Sequence, residues 1–363
     1  MKNVRLEAWI LEVPLKEPFT ISAGTNTVSR NVVVRLSTRD GLEGWGEASP
    51  SKRVLGETVE TVVETLRRAA GDGAEVDYTS TERIYEYVWG LGGAPSAMAA
   101  LDMALLDLYA KERGEPLWRL LGGYRESVET DITISLLPPE EQAKRALRYV
   151  EEGFKALKLK LGRGGPEEDI ARVKAVRDAV GEGVRILVDA NQGWSLEEAK
   201  RVIERISGLG VELVEQPVAW DDLDAMAELA RWSPVPIAAD ESVKTPADAL
   251  RVAERGAAQV INIKLMKSRG ILGAARIAAI SEAAGIVNMI GCMGESRVGI
   301  TAGVHAAQAL RNIRIYDLDA DLLQADCVFP GMGAPAERGV RRAPGEPGLG
   351  RFKPNPRYMR RVI

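Results

Sequence analysis

Two lysines at alternate positions raise the first chemical question about this chain. Residues 157–161 read Leu-Lys-Leu-Lys-Leu. In a strand, successive side chains point to opposite faces, so Lys158 and Lys160 share one face and the leucines share the other. On an exposed edge strand this is an ordinary solvated face. Inside a barrel, two lysines would need a charged partner or a chemical task.

Three carboxylates stand at the ends of other β-rich runs: Asp189 in VDANQGW, Glu215 in VEQP and Asp240 in ADES. A single acid at such a position is often only a helix cap. Three converging acids would repel one another unless a cation neutralised them. Because the set offers oxygen and no His or Cys, it favours a hard ion, and Mg²⁺ is the predicted metal.

A third lysine, Lys264, lies in the run NIKLMK and shares the parity of Asn262. It is expected to face Lys160 across the metal. A lysine near a cation and partly removed from water should have a lowered pKa and can act as a base. Two such lysines could remove a proton from one face of a carbon and return it to the other.

The elements that must position these side chains form a regular series. From about residue 130, eight β-rich runs alternate with seven helical segments. The alternation predicts parallel strands that close into a (β/α)7β modified TIM barrel over residues 126–325. In this fold Lys158 and Lys160 point inward at the C-terminal end of their strand, where barrel enzymes carry out their chemistry.

Residues 1–125 follow a different pattern. They read as antiparallel strands, with a hairpin turn at Asp40-Gly41, followed by helices. We expect an α+β capping domain over the barrel mouth. The Pro/Gly-rich segment 326–363 is expected to return to this domain and complete it.

The composition excludes several classes of function. The 363 residues carry a net charge of −4, and their dispersed basic residues give no footprint for nucleic acid. No stretch reaches the roughly 18 charge-free apolar residues of a membrane span. The start of the chain lacks the features of a signal peptide, so a cytoplasmic location is predicted.

Cysteine and histidine are scarce. Cys292 and Cys327 cannot build a disulfide framework and suit a reducing compartment. His305, the one histidine in the sequence, lies in an apolar helical pattern and is expected to be a packed residue. Acid and base roles therefore fall to Lys, Asp, Glu, Tyr or Cys.

Several motifs together resemble the muconate-lactonizing branch of the enolase superfamily: KLKLG, DANQGW, VEQPV, ADES, NIKLMK, GCMGES and the helix AALDMALLDL. The resemblance covers nearly the whole chain. Within this branch, IYDLDADL is similar to the Asp-x-Asp signature of the dipeptide epimerases. The resemblance implies a Mg²⁺-dependent isomerase, which inverts the α-carbon of the C-terminal residue of an L,L-dipeptide through an enediolate.

The resemblance also implies site residues. Lys160 and Lys264 would be the acid/base pair, and Lys158 an electrostatic helper near the substrate carboxylate. One Mg²⁺ per subunit would be bound by Asp189, Glu215 and Asp240. The remaining predicted substrate-binding residues are Asp317 and Asp319, which would hold the α-ammonium, together with Thr133 and Gly24.

One departure from the resemblance concerns specificity. In Ala-Glu epimerases, the loop after the first strand carries an arginine that pairs with the substrate's side-chain carboxylate. Gly24 stands at the matching position here. We therefore hypothesise that the substrate is not strictly Ala-Glu and that its C-terminal residue is apolar or variable. Arg30 and Arg53 are candidate replacement charges, and Arg269 is a second departure without an interpretation from sequence.

Other functions stay open at this point. An N-acylamino acid racemase or an o-succinylbenzoate synthase would keep the lysines and the metal but would not use Asp317 and Asp319. A non-catalytic protein could retain the fold without needing both lysines. The sequence leaves open the natural dipeptide, the pathway and whether the chain forms a homo-oligomer.

Overall fold

The computed structural model describes residues 2–22, 24–70 and 75–363. In the N-terminal part, an antiparallel sheet packs against helices. Its strands are β1 (Lys2–Ile21), β2 (Gly24–Thr38), β3 (Glu43–Ala48) and β4 (Glu75–Val76), and the helices are α1 (Val59–Ala69), α2 (Thr81–Gly90), α3 (Pro95–Glu112) and α4 (Leu117–Leu120). The predicted turn joins β2 to β3, with Gly41 at a φ of 89°.

Helix α3 packs directly on strand β3, and two glycines make this approach possible. A Cβ atom at Gly44 would overlap the carbonyl oxygen of Ala104, and one at Gly46 would overlap that of Ala100. The glycines of the GWG run therefore serve helix–sheet packing.

Residues 126–325 are all described and form the predicted alternation. After β5 (Val128–Glu129), eight parallel strands follow one another in a single sheet: β6 (Ile132–Ile134), β7 (Ala156–Lys160), β8 (Arg185–Asp189), β9 (Val211–Glu215), β10 (Ile237–Ala239), β11 (Val260–Lys264), β12 (Val287–Gly291) and β13 (Ile313–Tyr316). The connecting helices are α5 (Pro139–Glu151), α6 (Pro166–Val180), α7 (Leu196–Ser207), α8 (Leu223–Trp232), α9 (Pro246–Arg255), α10 (Ile271–Ala283) and α11 (Arg297–Ala309). The sheet curls until the backbone N–H of Asp131 donates to the carbonyl of Tyr316 at 3.0 Å, which links its first and last strands and confirms the predicted fold class.

The strands of this sheet carry two kinds of side chain. The leucines at 157 and 159 face the helices and are fully buried. On the inner face, an apolar floor fills the barrel beneath the charged residues; it consists of Ala156, Leu187, Leu213, Ala238, Val260 and Met289. The charged side chains stand above this floor, towards the C-terminal ends of the strands.

Local signals fix where the helices begin. Ser195 and Glu198 form the capping box expected at the start of α7. Thr245 caps α9 in front of Pro246, and Gly256 ends that helix in the left-handed conformation. None of the helices in the described ranges combines the length and apolar character needed to cross a membrane.

The last part of the chain contacts both sheets. It contains two 3₁₀ helices, Ala320–Leu322 and Pro356–Tyr358, and strands β14 (Ala336–Glu337), β15 (Val340–Arg341) and β16 (Met359–Arg361). Strand β15 pairs with β5, next to the barrel, whereas β16 pairs with β1 in the N-terminal sheet.

Two buried acids join the N-terminal sheet and helices to the barrel. Glu47 of β3 accepts backbone N–H groups of Ser296 and Gly299 at the start of α11, at 2.7 and 2.8 Å. Asp102 of α3 accepts the N–H of Ile271 at the start of α10, at 2.6 Å. Burial raises the pKa of both carboxyl groups, that of Asp102 to about 8.

Candidate active site

The two lysines of β7 point into the barrel, as the alternation predicted. Lys158 is 1% exposed and Lys160 is 7% exposed. The Lys160 ammonium lies 2.5 Å from Oδ2 of Asp189. Lys158 lies deeper and contacts Oε2 of Glu215 at 2.7 Å and Oδ2 of Asp317 at 2.8 Å. Each buried lysine therefore has acidic partners, and the interpretation as a solvated edge is wrong.

The three predicted metal ligands come together. Asp189 and Glu215 end strands β8 and β9, and Asp240 directly follows β10, so one oxygen of each lies within 4.8 Å of the others. All three carboxylates are buried, and their only cationic partners are lysine ammonium groups of the described residues, such as Lys158 beside Oε2 of Glu215 at 2.7 Å and Lys267 beside Oδ1 of Asp240 at 2.6 Å. Three converging carboxylates supply an all-oxygen set of the kind that a divalent hard cation prefers. The residues present are thus suited to Mg²⁺.

Lys264, the last residue of β11, stands on the opposite side of this triad from Lys160. Its ammonium lies 2.7 Å from Oδ2 of Asp240. Asn262, on the same face, donates to Oε1 of Glu215 at 2.8 Å. The pair Lys160 and Lys264 therefore flanks the carboxylates from β7 and β11.

The ion pairs decide the protonation of these groups. Burial alone would raise the pKa of Asp240, but the ammonium groups of Lys264 and Lys267 outweigh it and hold that pKa below its ordinary value. Burial lowers the pKa of Lys264, whereas the carboxylate of Asp240 raises it. The effect of the carboxylate is larger, so the pKa of Lys264 lies above its ordinary value. The lowered lysine pKa expected from the sequence refers to a site with a cation between the carboxylates, and it stays a prediction.

Asp317 and Asp319 also lie in the site, beside Thr133 of β6 in the barrel wall. Thr133 donates its backbone N–H to Oδ2 of Asp319 at 2.6 Å and its hydroxyl to Oδ1 of Asp317 at 3.3 Å. Asp319 precedes the 3₁₀ helix Ala320–Leu322 but makes no side-chain cap bond to it. Both acids are at most 3% exposed, so neither is a surface turn residue.

Sequence reasoning missed four residues in and around this site. Lys267 places its ammonium 2.6 Å from Oδ1 of Asp240, and Cys292 donates its thiol to Asp319 at 3.5 Å. Glu241, next to Asp240, accepts from Asn191 at 3.3 Å. Asp131 is 1% exposed, and neither of its carboxyl oxygens has a hydrogen-bond partner among the described residues. Its parity with Thr133 was the available signal, since alternate residues of β6 share the inner face.

The hairpin formed by β1 and β2 covers the barrel mouth. The N–H of Thr20 donates to Oγ of Ser135 at 2.7 Å, and Ser22 donates to the carbonyl of Asn191 at 3.0 Å. These two bonds hold the hairpin against the loops after β6 and β8. Such a covering segment excludes water from the charged groups beneath it.

The three arginines left open by the sequence have different surroundings. Arg53 reaches over the hairpin from the loop after β3, and its guanidinium occupies the space that a side chain at Gly24 would need. Arg30 instead pairs with Glu12 at 2.6 Å on the exposed surface. Arg269, at a φ of 60°, stacks its guanidinium 4.2 Å from the ring centre of Trp89 on α2. Of these, Arg53 alone lies against Gly24.

The remaining sequence predictions concern His305 and the cysteines. His305 is fully buried, accepts the backbone N–H of Trp118 at 3.1 Å and has a pKa lowered by burial to about 3. It is a packed residue, as predicted. Cys292 and Cys327 are both free.

A cavity of about 110 Å³ connects these groups. Its charged lining comes from Lys160, Lys264, Asp317 and Asp319, and its apolar lining from Leu15, Phe19, Val28, Met293, Ala320 and Leu323. The site thus combines two opposed lysines, a carboxylate triad and an apolar wall under the hairpin.

Comparison with family models assigns both parts of the chain. Residues 5–122 match the N-terminal domain of the mandelate racemase / muconate lactonizing enzymes, and residues 141–351 match the enolase C-terminal domain-like family.

Three relatives illustrate the range of similar proteins. The L-Ala-D/L-Glu epimerase of Bacillus subtilis is 41% identical over 96% of both chains, and its substrate-liganded structure superimposes with a TM-score of 0.92. The hydrophobic dipeptide epimerase of Enterococcus faecalis is 41% identical over 88% of this chain and 91% of its own. Its structure with Mg and L-Leu-L-Tyr gives a TM-score of 0.91.

An N-succinyl-L-Arg/Lys racemase of Bacillus cereus is less similar, at 32% identity over 89% of this chain and 88% of its own. The family matches span most of the chain, and the identities exceed one third over nearly full lengths for the two dipeptide epimerases. The resemblance seen in the motifs is confirmed: this chain belongs to the mandelate racemase / muconate lactonizing enzyme family of the enolase superfamily.

Proposed function

We propose that this chain is a Mg²⁺-dependent dipeptide epimerase, an isomerase that inverts the α-carbon of the C-terminal residue. The observation that carries the proposal is the pair Lys160 and Lys264 on opposite sides of the buried carboxylate triad. Relatives at about 41% identity are named dipeptide epimerases, and one was solved with Mg and a dipeptide. Both observations support the same reaction.

The roles follow from position. Lys160 and Lys264 would exchange the α-proton, one removing it from one face of the carbon and the other returning a proton to the opposite face. Lys158, which lies between Glu215 and Asp317, would balance the acids near the substrate carboxylate. Mg²⁺ held by Asp189, Glu215 and Asp240 would supply positive charge to the carboxylate oxygens as the proton leaves.

The same geometry favours a free ammonium group on the substrate. Asp317 and Asp319 are buried, and Thr133 holds both in place, so they would bind the N-terminal ammonium of a dipeptide. An N-succinyl or succinylbenzoate carboxylate would meet two buried acids there and be repelled. This contrast ranks the epimerase above the racemase and synthase alternatives.

For specificity we propose a range wider than Ala-Glu. The apolar lining residues Phe19, Val28 and Met293 suit neutral C-terminal side chains. The guanidinium of Arg53 beside Gly24 keeps a positive charge near the hairpin, which leaves an acidic side chain acceptable. If Ala-Glu reacted much faster than Ala-Leu and other neutral dipeptides, this proposal on specificity would be wrong.

We also propose the division expected from the sequence, with a capping domain over residues 1–125, completed by 326–363, and a catalytic barrel over 126–325. The pairing of β16 with β1 supports the return of the C-terminal segment. The boundary between the two family matches, at residues 122–141, supports the division. A cytoplasmic location stays a prediction from the sequence. The oligomeric state stays open.

The test is proton exchange with solvent. Protein, Mg²⁺ and a mixed dipeptide library are incubated in D₂O, and α-deuterium uptake at each C-terminal residue is measured by mass spectrometry. We expect uptake in a subset of dipeptides and none in N-succinyl amino acids. Uptake in N-succinyl amino acids alone would transfer the assignment to the racemase.

A further inference from the structure

The active-site cavity does not end at the ammonium-binding acids. It shares Phe19, Thr133 and Leu323 with a second cavity of about 50 Å³. That second cavity shares Lys16, Glu17, Arg148 and Tyr149 with an outer cleft of about 350 Å³ between α5, β1 and the turn after β14. The three spaces therefore adjoin in series, from the lysines of the barrel to the surface beside α5. We call the middle space the neck.

The position of the neck matters because of simple covalent geometry. In a dipeptide, the carbon that carries the N-terminal ammonium also carries the N-terminal side chain. If the ammonium lies at Asp317 and Asp319, that side chain starts beside Thr133, which lines both the site and the neck. The neck is thus the space that adjoins the start of that side chain.

The neck and its far end differ in character. Near the site, Phe19 and Leu323 give the neck apolar walls that suit methylene groups. Beyond them, the neck and the outer cleft are lined by four basic side chains and two acidic ones: Lys16, Arg145, Arg148, Arg338, Glu17 and Glu152. The far end therefore carries an excess of positive charge.

Part of this charge is already compensated. Glu17 pairs with Arg145, and it lies 3.5 Å from Arg148, which also lies 3.6 Å from Glu152. Lys16 and Arg338 have no acidic group within ion-pair distance among the described residues. An anionic group entering from the site would meet Lys16, which is uncompensated, and Arg148, whose contacts with Glu17 and Glu152 are no shorter than 3.5 Å, since both side chains line the neck and the outer cleft.

We propose that the neck and the inner part of the outer cleft bind the N-terminal side chain of the dipeptide, and that they favour an unbranched acidic side chain such as glutamate. The inference rests on the proposed dipeptide epimerase function. The methylene groups of glutamate fill the apolar neck, and its carboxylate reaches Lys16 and Arg148. A lysine side chain would meet like charges in the same place.

The test compares four dipeptides that differ at the N-terminus: Glu-Leu, Gln-Leu, Ala-Leu and Lys-Leu. Epimerisation with Mg²⁺ is followed by α-deuterium uptake at leucine. We expect kcat/KM for Glu-Leu to exceed that for Gln-Leu by about tenfold, mainly through KM, because the two side chains differ in charge and not in size. Lys-Leu should be the poorest substrate.

Variants locate the effect. The double variant Lys16→Met with Arg148→Met should reduce the preference for Glu-Leu over Gln-Leu, read as the ratio of their kcat/KM values, to about twofold or less. Lys174→Met is the matched control, since Lys174 pairs with Asp178 on the exposed face of α6. It should change no ratio.

The outcomes separate the two proposals. Exchange in Ala-Leu with equal kcat/KM for Glu-Leu and Gln-Leu would overturn the inference alone. A glutamate preference that survives in the double variant would overturn it as well. Absence of exchange in every dipeptide, with folded protein and Mg²⁺ present, would overturn the epimerase function itself.

Discussion

Buried acids occur in two regions of this molecule and are stabilised by different partners. At the barrel mouth, Asp189, Asp240 and Asp317 face lysine ammonium groups, which outweigh burial and lower their pKa values. Between the N-terminal sheet and the barrel, Glu47 and Asp102 face backbone N–H groups at helix starts, and burial raises their pKa values.

The difference shows what each region is suited to do. Lysine side chains are mobile partners, so ionised acids at the mouth can exchange them for a metal or a substrate ammonium. Backbone N–H groups at a helix start are fixed, and they donate hydrogen bonds to a neutral or a charged carboxyl group in one geometry. The mouth is suited to changing partners, whereas the contact between the N-terminal part and the barrel is suited to rigidity.

The largest effect is expected when either of the two acid/base lysines at the mouth is removed. Lys160→Ala and Lys264→Ala should each lower epimerisation by about 10⁴-fold, because each removes one of two acid/base groups. Each variant should still exchange the α-proton of one diastereomer, L,L or L,D, and the two variants should do so for opposite diastereomers. Deuterium uptake from each diastereomer measures this.

The matched control for the lysines is Lys155→Ala, at the exposed start of β7, where Lys155 pairs with Glu129 at 2.8 Å. It should retain full activity. Wild-type turnover in either Lys160→Ala or Lys264→Ala would remove the two-base interpretation.

Metal removal tests whether the mouth acids change partners. A chelator should lower turnover by about 10³-fold, with recovery on adding Mg²⁺, because charge stabilisation is lost while the lysines remain. Saturating Mg²⁺ should raise the Tm of the wild type. At a Mg²⁺ concentration of one hundred times Kd, the free energy of unfolding should increase by about 2.7 kcal/mol. Glu215→Gln should abolish that shift. Full activity in chelator would contradict the metal assignment.

The contact between the N-terminal part and the barrel should give a smaller effect, a dependence of the folding stability on pH. The Asp102 pKa is raised from 3.8 to about 8 in the fold. Between these values the folded chain holds a proton that the unfolded chain has released, so stability falls as pH rises from 4 to 8. The slope is at most about 1.4 kcal/mol per pH unit.

Asp102→Asn removes this titration and keeps an oxygen that can accept the N–H of Ile271. Urea unfolding at several pH values should show wild type losing stability relative to the variant as pH rises. Parallel curves for the two proteins would mean that Asp102 is ionised at the contact.

Asp131 is one of the mouth acids whose pKa is raised, and it should give the smallest effect. Burial and the charges of Asp317 and Asp319 raise the pKa of its carboxyl group well above the ordinary value. Since a neutral acid and an amide are alike in charge and shape, Asp131→Asn should change kcat/KM by no more than about threefold. Asp317→Asn, the matched control, should lose far more, and equal losses would show that Asp131 is ionised.

Much of the fold and site could be predicted because strand parity is a strict rule. The spacing of Lys158 and Lys160, and of Asn262 and Lys264, assigned inner faces that are confirmed. The acids at the ends of β8 and β9 and after β10 followed from the same periodicity, because parallel strands bring their C-terminal ends to one edge.

What could not be predicted depends on contacts between distant segments. Lys267 lies beyond the end of β11, where parity no longer assigns a face. The position of Arg53 over Gly24 requires the placement of a loop against the β1–β2 hairpin, and the stacking of Arg269 on Trp89 requires the placement of a turn against a helix. The alternation of a single strand carries no information about such placements.

The pairing of β16 with β1 has a consequence for protein synthesis. Trp9 on β1 lies opposite Arg361 on β16, so a strand that leaves the ribosome early is flanked by one that leaves it after every barrel strand. The β1–β2 hairpin can form soon after it emerges, since its partners are close in the chain. The stretch of its other edge that pairs with β16, from Trp9 to Leu11, lacks that partner throughout translation of the barrel, and the nascent chain must keep this stretch from pairing elsewhere.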